Sequence, residues 1–225
     1  NRNIGIKQAK GEYILLMDDD EWLEDDYLEN SLALRDEYRQ KLGKDFVLTP
    51  TLMYRKTGHI QSQGFSHFNY WLSRPIPQAL GHKAWDYIQM YSGNSLLAPA
   101  YVFKEHFFDE KLDFVYEDLD FTYNIHRAGY PIVVLRDLKI YHMERDKTIL
   151  EEARVGNEYA AYRKAKHRIL FVKKYGTFVQ KIQFYLFGFR GQPGWLIIKV
   201  LRFAPLSEKW KLITAIIRGT FYSSK

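Results

Sequence analysis

The chain has 225 residues, 46% of them hydrophobic, and a formal net charge of +6, which supports one sizeable core or a domain with an appendage and argues against disorder. It contains no cysteine, which excludes a disulfide framework, a thiolate metal site and a cysteine nucleophile and fits a reducing compartment. No uncharged apolar run approaches the roughly 18 residues of a membrane-spanning helix, and no signal-peptide pattern occurs.

The first residue is Asn1 and the chain opens inside a helix-like stretch, residues 2–10, so a fragment of a longer protein is expected. An apolar strand follows at residues 13–17 and runs into Asp18-Asp19-Asp20. Strands this apolar belong in buried sheets, and open α/β sheets bind ligands beyond their strands' carboxyl ends. Three adjacent carboxylates repel one another unless solvent or a cation offsets them, and oxygen ligands suit Mg²⁺ or Mn²⁺, which also hold phosphates. A plainer reading is an acidic start to the helix that follows. An EF-hand is excluded, because Trp22 and Leu23 stand where that loop needs an oxygen ligand and a glycine.

Residues 24–42 read as a helix with Leu28, Leu32, Leu34 and Tyr38 on one face and Gly43 as its stop. Residues 46–54 read as a strand interrupted by Pro50, and residues 64–85 as an ordered loop lining a site or forming a lid. Short strands at 87–91 and 95–98 flank Ser92-Gly93-Asn94, and a short helix is expected at 101–106. Residues 117–128 form a predicted helix with Leu119, Phe121, Ile125 and Ala128 as core contacts, opened by Glu117-Asp118-Leu119-Asp120 and closed by Gly129. Two short strands, 131–135 and 139–142, end at His142. Beyond residue 150 the pattern is helical, with breaks near residues 188–194 and at Pro205.

Charge divides the same way. Residues 1–150 carry 18 basic and 23 acidic side chains, whereas residues 151–225 carry 15 Lys and Arg against 4 Glu and no Asp. An acidic front suits a cation, and a basic, aromatic tail suits an anionic surface. In that tail Arg163, Lys164, Lys166, Arg168, Lys173 and Lys174 flank an apolar stretch at 169–172, and further apolar patches at 184–189, 195–200 and 210–217 alternate with Lys and Arg. Peripheral membrane contact through residues 160–225 is expected, the alternative being a helical subdomain with solvated charges.

In this order the pieces resemble family 2 glycosyltransferases, inverting enzymes of the GT-A fold, particularly bacterial members that build surface polysaccharides. The resemblance rests on Asn1-Arg2-Asn3-Ile4-Gly5 leading to the Asp18-Asp19-Asp20 (DxD) motif, on Ser92-Gly93-Asn94-Ser95 and Phe107-Phe108-Asp109-Glu110, on Glu117-Asp118-Leu119-Asp120 with Arg127-Ala128-Gly129-Tyr130, and on Ile140-Tyr141-His142. The family's opening βα units, with an early aspartate that contacts the base, are absent from residues 1–225, and Glu105-His106 stands where many relatives have two glycines.

The resemblance implies an α/β fold, a GT-A (Rossmann-like nucleotide-diphospho-sugar transferase) mixed sheet flanked by helices, with residues 1–147 as a partial catalytic domain and 148–225 as a helical extension. It implies that Asp18 and Asp20 hold Mn²⁺ or Mg²⁺ on the donor diphosphate with His142 as third ligand. Arg2, Asn3 and Asp19 would contact the donor. Asp118 would be the catalytic base, and Ser92, Gly93, Asn94, Glu117 and Asp120 would lie near the sugar or acceptor. The implied reaction is hexosyl or deoxyhexosyl transfer from a UDP- or TDP-linked donor to a saccharide or lipid-linked saccharide. It would take place in the cytoplasm at the inner face of the plasma membrane, without nucleic acid. Two other readings stay open: a metal-dependent phosphoryl or nucleotidyl transferase, and a basic membrane- or nucleic-acid-binding module whose acidic motifs are structural, although no nucleic-acid-binding signature is present.

Overall fold

The computed structural model describes residues 2–79, 83–93, 95–113, 115–143 and 148–222. Its elements, in chain order, are α1 (Arg2–Gln8), β1 (Tyr13–Leu16), β2 (Glu21–Trp22), α2 (Tyr27–Leu42), β3 (Val47–Tyr54), β4 (Ile60–Ser62), β5 (Phe65–Asn69), β6 (Arg74–Pro77), β7 (Trp85–Ile88), β8 (Leu96–Pro99), α3 (Ala100–Glu105), α4 (Glu117–Arg127) and β9 (Ile132–His142). Then come α5 (Ile149–Glu152), α6 (Glu158–Tyr175), α7 (Phe178–Phe187), a single 3₁₀ turn (Gly188–Arg190), α8 (Gln192–Phe203) and α9 (Leu206–Thr220). The chain divides into two compact units. The first comprises Asn1–His67, Pro77–Asp109 and Asp118–Glu144, and the second Phe68–Ile76, Glu110–Glu117 and Arg145–Lys225.

The first unit is built on a mixed sheet of order β1-β8-β3-β9-β2, with β4 added to β3 and β7 to β9. Among the described residues of this sheet β3 and β9 run parallel, and the other pairs are antiparallel. Alternation along β9 sorts the two cores. Ile132 and Val134 join Ile6, Phe103, Phe121 and Ile125 on one face, while Val133 and Leu135 join Tyr27, Tyr38 and Leu48 on the other. Helices α1, α3 and α4 thereby share one face of the sheet, and α2 covers the opposite one. Phe108 stacks on Phe121 at 3.9 Å, with the rings 5° apart.

Several elements depart from the sequence pattern for identifiable reasons. The inner stripe of α2 is Tyr27, Ser31, Arg35 and Tyr38, while Leu28 and Leu32 face solvent. Arg35 can fill that stripe because its guanidinium pairs with Asp36 and Asp45 at 2.7 and 2.6 Å and lies 4.3 Å from the Tyr13 ring centre. Ala128 is exposed beyond the end of α4, so the core contacts of that helix stop at Ile125. Pro50 does not interrupt β3. The register against β9 instead jumps from Pro50↔Leu135 to Thr51↔Lys139, so residues 136–138 bulge out of one continuous β9 where two strands were expected. Thr51 Oγ1 donates to Arg136 O across the bulge, and Arg136 reaches Asp86 on β7 at 2.6 Å. The stretch expected as a loop at 64–85 contains the paired strands β5 and β6. Their tip is an Asx turn in which Asn69 Oδ1 accepts the Leu72 N–H at 2.9 Å, too short a hairpin to leave a period.

The second unit has its own core, formed by Leu150, Val155, Ala161, Leu196, Val200, Leu212 and Ile216. Capping boxes at Thr148/Glu151 and Thr177/Gln180 start α5 and α7, and Asn157 caps α6. Helix α6 is the buried member. Arg168 is 1% exposed and donates to Thr220 Oγ1 at 3.0 Å, Arg163 donates to Asp113, and His167, fully buried, has its Nε2 3.4 Å from the same Asp113 carboxylate. Lys164, half-buried, donates to Ala153 O at 2.6 Å. Two of the basic residues that the sequence assigns to a membrane surface are therefore turned into this unit.

Burial pushes the Lys164 ammonium down to about 7, and Arg154, Arg168 and Lys199 push the same way. The unfolded chain, with an ordinary lysine, binds the extra proton between about pH 7 and 10.4, so this residue makes stability rise with pH across that window. Its destabilising effect is complete below about pH 7. Lys164→Met is expected to raise Tm at pH 6 by about 3 °C, the equivalent of about 1 kcal/mol in a chain of this size, and to flatten the rise between pH 7 and 9. Thermal melts across that range check it.

Candidate active site

Strand order brings distant loops to one end of the sheet. Strand β1 ends at Leu16, which pairs with Leu96 at the start of antiparallel β8, so the acidic triplet after β1 and the bend at Ser92 and Gly93 before β8 lie at the same end. The chain then returns as β2, where Glu21 pairs with His142 at the end of β9, and the Met143 N–H donates to Asp20 O at 2.8 Å. Three segments that share no local pattern thus meet, in agreement with the carboxyl-end rule for α/β sheets.

Arg2 links two of them. Its Nη2 donates to Asp18 Oδ1 and its Nη1 to Asp118 Oδ1, both at 3.0 Å, while the guanidinium lies over the Phe108 ring at 5.2 Å. One planar cation therefore offsets the charge of the first triplet carboxylate and of the aspartate that opens α4. The Gly93 N–H reaches the other Asp118 oxygen at 3.4 Å. Gly93 has φ +116°, and an added Cβ would sit 3.5 to 3.9 Å from Tyr91, Leu52 and Glu21, so backbone conformation more than space demands glycine. Asp118 itself is 18% exposed.

His142 Nε2 lies 3.3 Å from Asp20 Oδ2, and its buried Nδ1 has no hydrogen-bond partner among the described residues. The Asp20 carboxylate is a donor for Mn²⁺ or Mg²⁺, and the imidazole beside it suits a transition metal better than Mg²⁺. Asp18, the third expected ligand, faces Arg2, and among the described residues no group of three His, Asp or Glu side chains is gathered to hold a metal ion. The donor types fit Mn²⁺ better than Mg²⁺, with His142 Nε2 and the Asp20 carboxylate already adjacent.

Glu21 is a residue of this site that the sequence reading passed over. Its Oε2 accepts the Asp18 N–H at 2.9 Å, closing the triplet on itself. Burial pushes its carboxyl up to about 7, and the Asp18 and Asp20 charges add to the rise, against a backbone hydrogen bond from Asp18 and the neighbouring Ser95 hydroxyl. The D-x-x-E spacing from Asp18 to Glu21 is the signal that could have found it, since a glutamate three residues on reaches back to such an N–H in a capping box.

The other expected site residues are spread more widely. Asn3 is buried and its amide is spent on backbone: Nδ2 donates to Phe108 O at 2.9 Å, and Oδ1 accepts the Phe108 N–H at 2.8 Å. It locks α1, and with it Arg2, in place. Asp19 is exposed, Ser92 is half-buried in the turn beside Gly93, and Asn94 lies outside the described residues. Asp120 is 1% exposed, turned into the core side of α4. Glu117 falls in the second unit, directly after Val115 and Tyr116, whose positive φ values of 54° and 75° are unusual outside glycine.

Residues 1–88 match the family model of glycosyl transferase family 2. No curated protein sequence matches the chain. Among solved structures it is similar to TarS of S. aureus, residues 1–349, at 17% identity and a TM-score of 0.54 over 98% of this chain and 59% of that one. A second TarS structure gives 18% and 0.52 over 96% of this chain and 36% of the other. GalNAc-T7, solved with UDP, GalNAc and Mn²⁺, gives 13% and 0.59 over 97% and 40%. The chain thus spans less than two thirds of each of these proteins, and the likeness establishes the GT-A type of fold.

Asn3→Ala is expected to lower unfolding free energy by about 2 kcal/mol, because it leaves the Phe108 N–H and carbonyl buried without their partner. Chemical denaturation checks it. A loss under about 0.5 kcal/mol, the level of an ordinary surface substitution, would mean that the amide does not hold α1.

Proposed function

We propose that the chain is part of a metal-dependent inverting glycosyltransferase that moves a hexosyl or deoxyhexosyl group from a UDP- or TDP-linked donor to a saccharide or lipid-linked saccharide. The observation that carries this reading is the Arg2 fork joining Asp18 of the triplet to Asp118 at the start of α4. The family match over residues 1–88 and a fold like that of a protein solved with UDP and Mn²⁺ support it. A place in bacterial surface-polysaccharide synthesis, in the cytoplasm at the inner face of the plasma membrane, belongs to the same proposal.

Asp118 acts as general base. One of its oxygens takes the proton of the acceptor hydroxyl while that hydroxyl oxygen bonds to the anomeric carbon, and the bond from that carbon to the donor diphosphate breaks on the opposite face. The nucleoside diphosphate leaves and the anomeric configuration inverts. Arg2 holds Asp118 in position and sets a fixed positive charge beside Asp18, near the donor phosphates. Asp20 and His142, with Asp18, would hold Mn²⁺ or Mg²⁺, which when bound stabilises negative charge on the departing diphosphate. Asp19 contacts the ribose, Glu21 fixes the triplet, and Ser92 and Gly93 border the sugar. Asn3 and Asp120 act through packing.

Asp118→Asn in the full-length protein is expected to reduce turnover about 10²- to 10⁴-fold with nucleotide affinity unchanged. Coupled detection of nucleoside diphosphate release, with the product anomer read by NMR, checks it. Retained activity, a retained anomeric configuration, or release of nucleoside monophosphate would each overturn the reading.

A further inference from the structure

Helices α7 and α8, joined through Gly188–Arg190, carry their apolar stripes on the solvent side. On α7, Phe178, Ile182, Tyr185 and Leu186 follow i, i+4, i+7, i+8 spacing and are exposed, Phe178 to 79% and Leu186 to 66%, while Phe184 alone is buried. On α8, Trp195, Ile198 and Leu201 are exposed opposite the buried Leu196 and Val200. An ordinary surface helix shows the reverse arrangement. The hairpin tip extends the patch, since half-exposed Trp71 packs on Phe187 with ring centres 4.4 Å apart.

Charge identifies the occupant. From residue 178 to 203 the chain has Lys181, Arg190, Lys199 and Arg202 and no Asp or Glu. Lys199 lies 4.0 Å from the Trp195 ring centre, an ammonium over an apolar ring at the surface. A second copy of this face would meet it with like charge, whereas an anionic bilayer takes apolar side chains below its headgroups and Lys and Arg at them. No helix among the described residues is long and apolar enough to cross a membrane.

We infer that α7 and α8 form a peripheral docking face for an anionic lipid surface. This rests on and deepens the membrane part of the proposed function, narrowing the contact within residues 160–225 to α7 and α8, because Lys164 and Arg168 of α6 are turned inward. Basic residues on these two helices set the preference for anionic headgroups, and Trp195 and Tyr185 sit at headgroup level.

The test is cosedimentation of the full-length protein with vesicles of phosphatidylcholine alone or of equal parts phosphatidylcholine and phosphatidylglycerol. The anionic vesicles are expected to bind at least about tenfold more protein, and Leu186→Glu with Ile198→Glu to lower that binding at least about tenfold. Leu28→Glu, at an exposed leucine on α2, is expected to leave it unchanged, with circular dichroism showing each variant folded. Absence of vesicle binding, equal binding to both vesicles, or binding unchanged by the double variant would overturn the inference. So would a dimer in light scattering that the double variant dissolves. Binding is read without turnover, so its failure is separate from failure of the glycosyl-transfer reading.

Discussion

The guanidinium of Arg2 between Asp18 and Asp118 is the constraint on which the site depends. Two aspartates 100 positions apart in the chain are held by one planar cation, at 3.0 Å each. Arg2 can do this because Asn3 bolts α1 to the backbone of Phe108 and because the Phe108 ring, stacked on Phe121 of α4, supports the guanidinium face. A helix of seven residues would be marginal alone, so its placement is tertiary. The position of α1 thus follows from the core that α4 also joins, and the distance from triplet to Asp118 follows from both.

The sheet supplies the second half of the geometry. Antiparallel pairing of β1 with β8 puts the triplet and the Gly93 turn at one end, and the bulge in β9 lets that strand stay in register with β3 until His142 reaches Glu21 and Asp20. Without the extra residues at 136–138, residue 142 would not fall opposite Tyr54 at the end of β3. Glu21 then ties the triplet backbone through the Asp18 N–H, so the loop's shape is fixed by a half-buried carboxyl group and the charge of Asp18 is offset by Arg2.

Much of this was legible in the sequence. The order of motifs located the acidic triplet, Asp118 and His142, and the strand-helix alternation gave the α/β class, because each of these signals is local. What was not legible depends on partners far along the chain. Leu28 and Leu32 suggested the wrong face of α2, since an arginine is read as solvent-facing until Asp36 and Asp45 are seen to neutralise it. Pro50 reads as a strand breaker, yet a proline at a bulge loses no ladder bond that the strand needs. Asn3 stands among the expected donor contacts because the family resemblance puts it there, and its use of both amide atoms on Phe108 is visible only in space. The basic stretch of α6 looked like a membrane face, but composition does not say which side of a helix faces inward.

The central claim is that the triplet end of the sheet binds a nucleoside diphosphate together with a divalent cation. Calorimetric titration of the full-length protein with UDP or TDP, in the presence and absence of Mn²⁺, and with Asp20→Ala alongside, tests it most directly. The account predicts binding that requires Mn²⁺ and is lost in Asp20→Ala. Nucleotide binding indifferent to both the metal and the substitution, or no binding at all, would contradict it and leave the acidic triplet a structural feature of the sheet's edge.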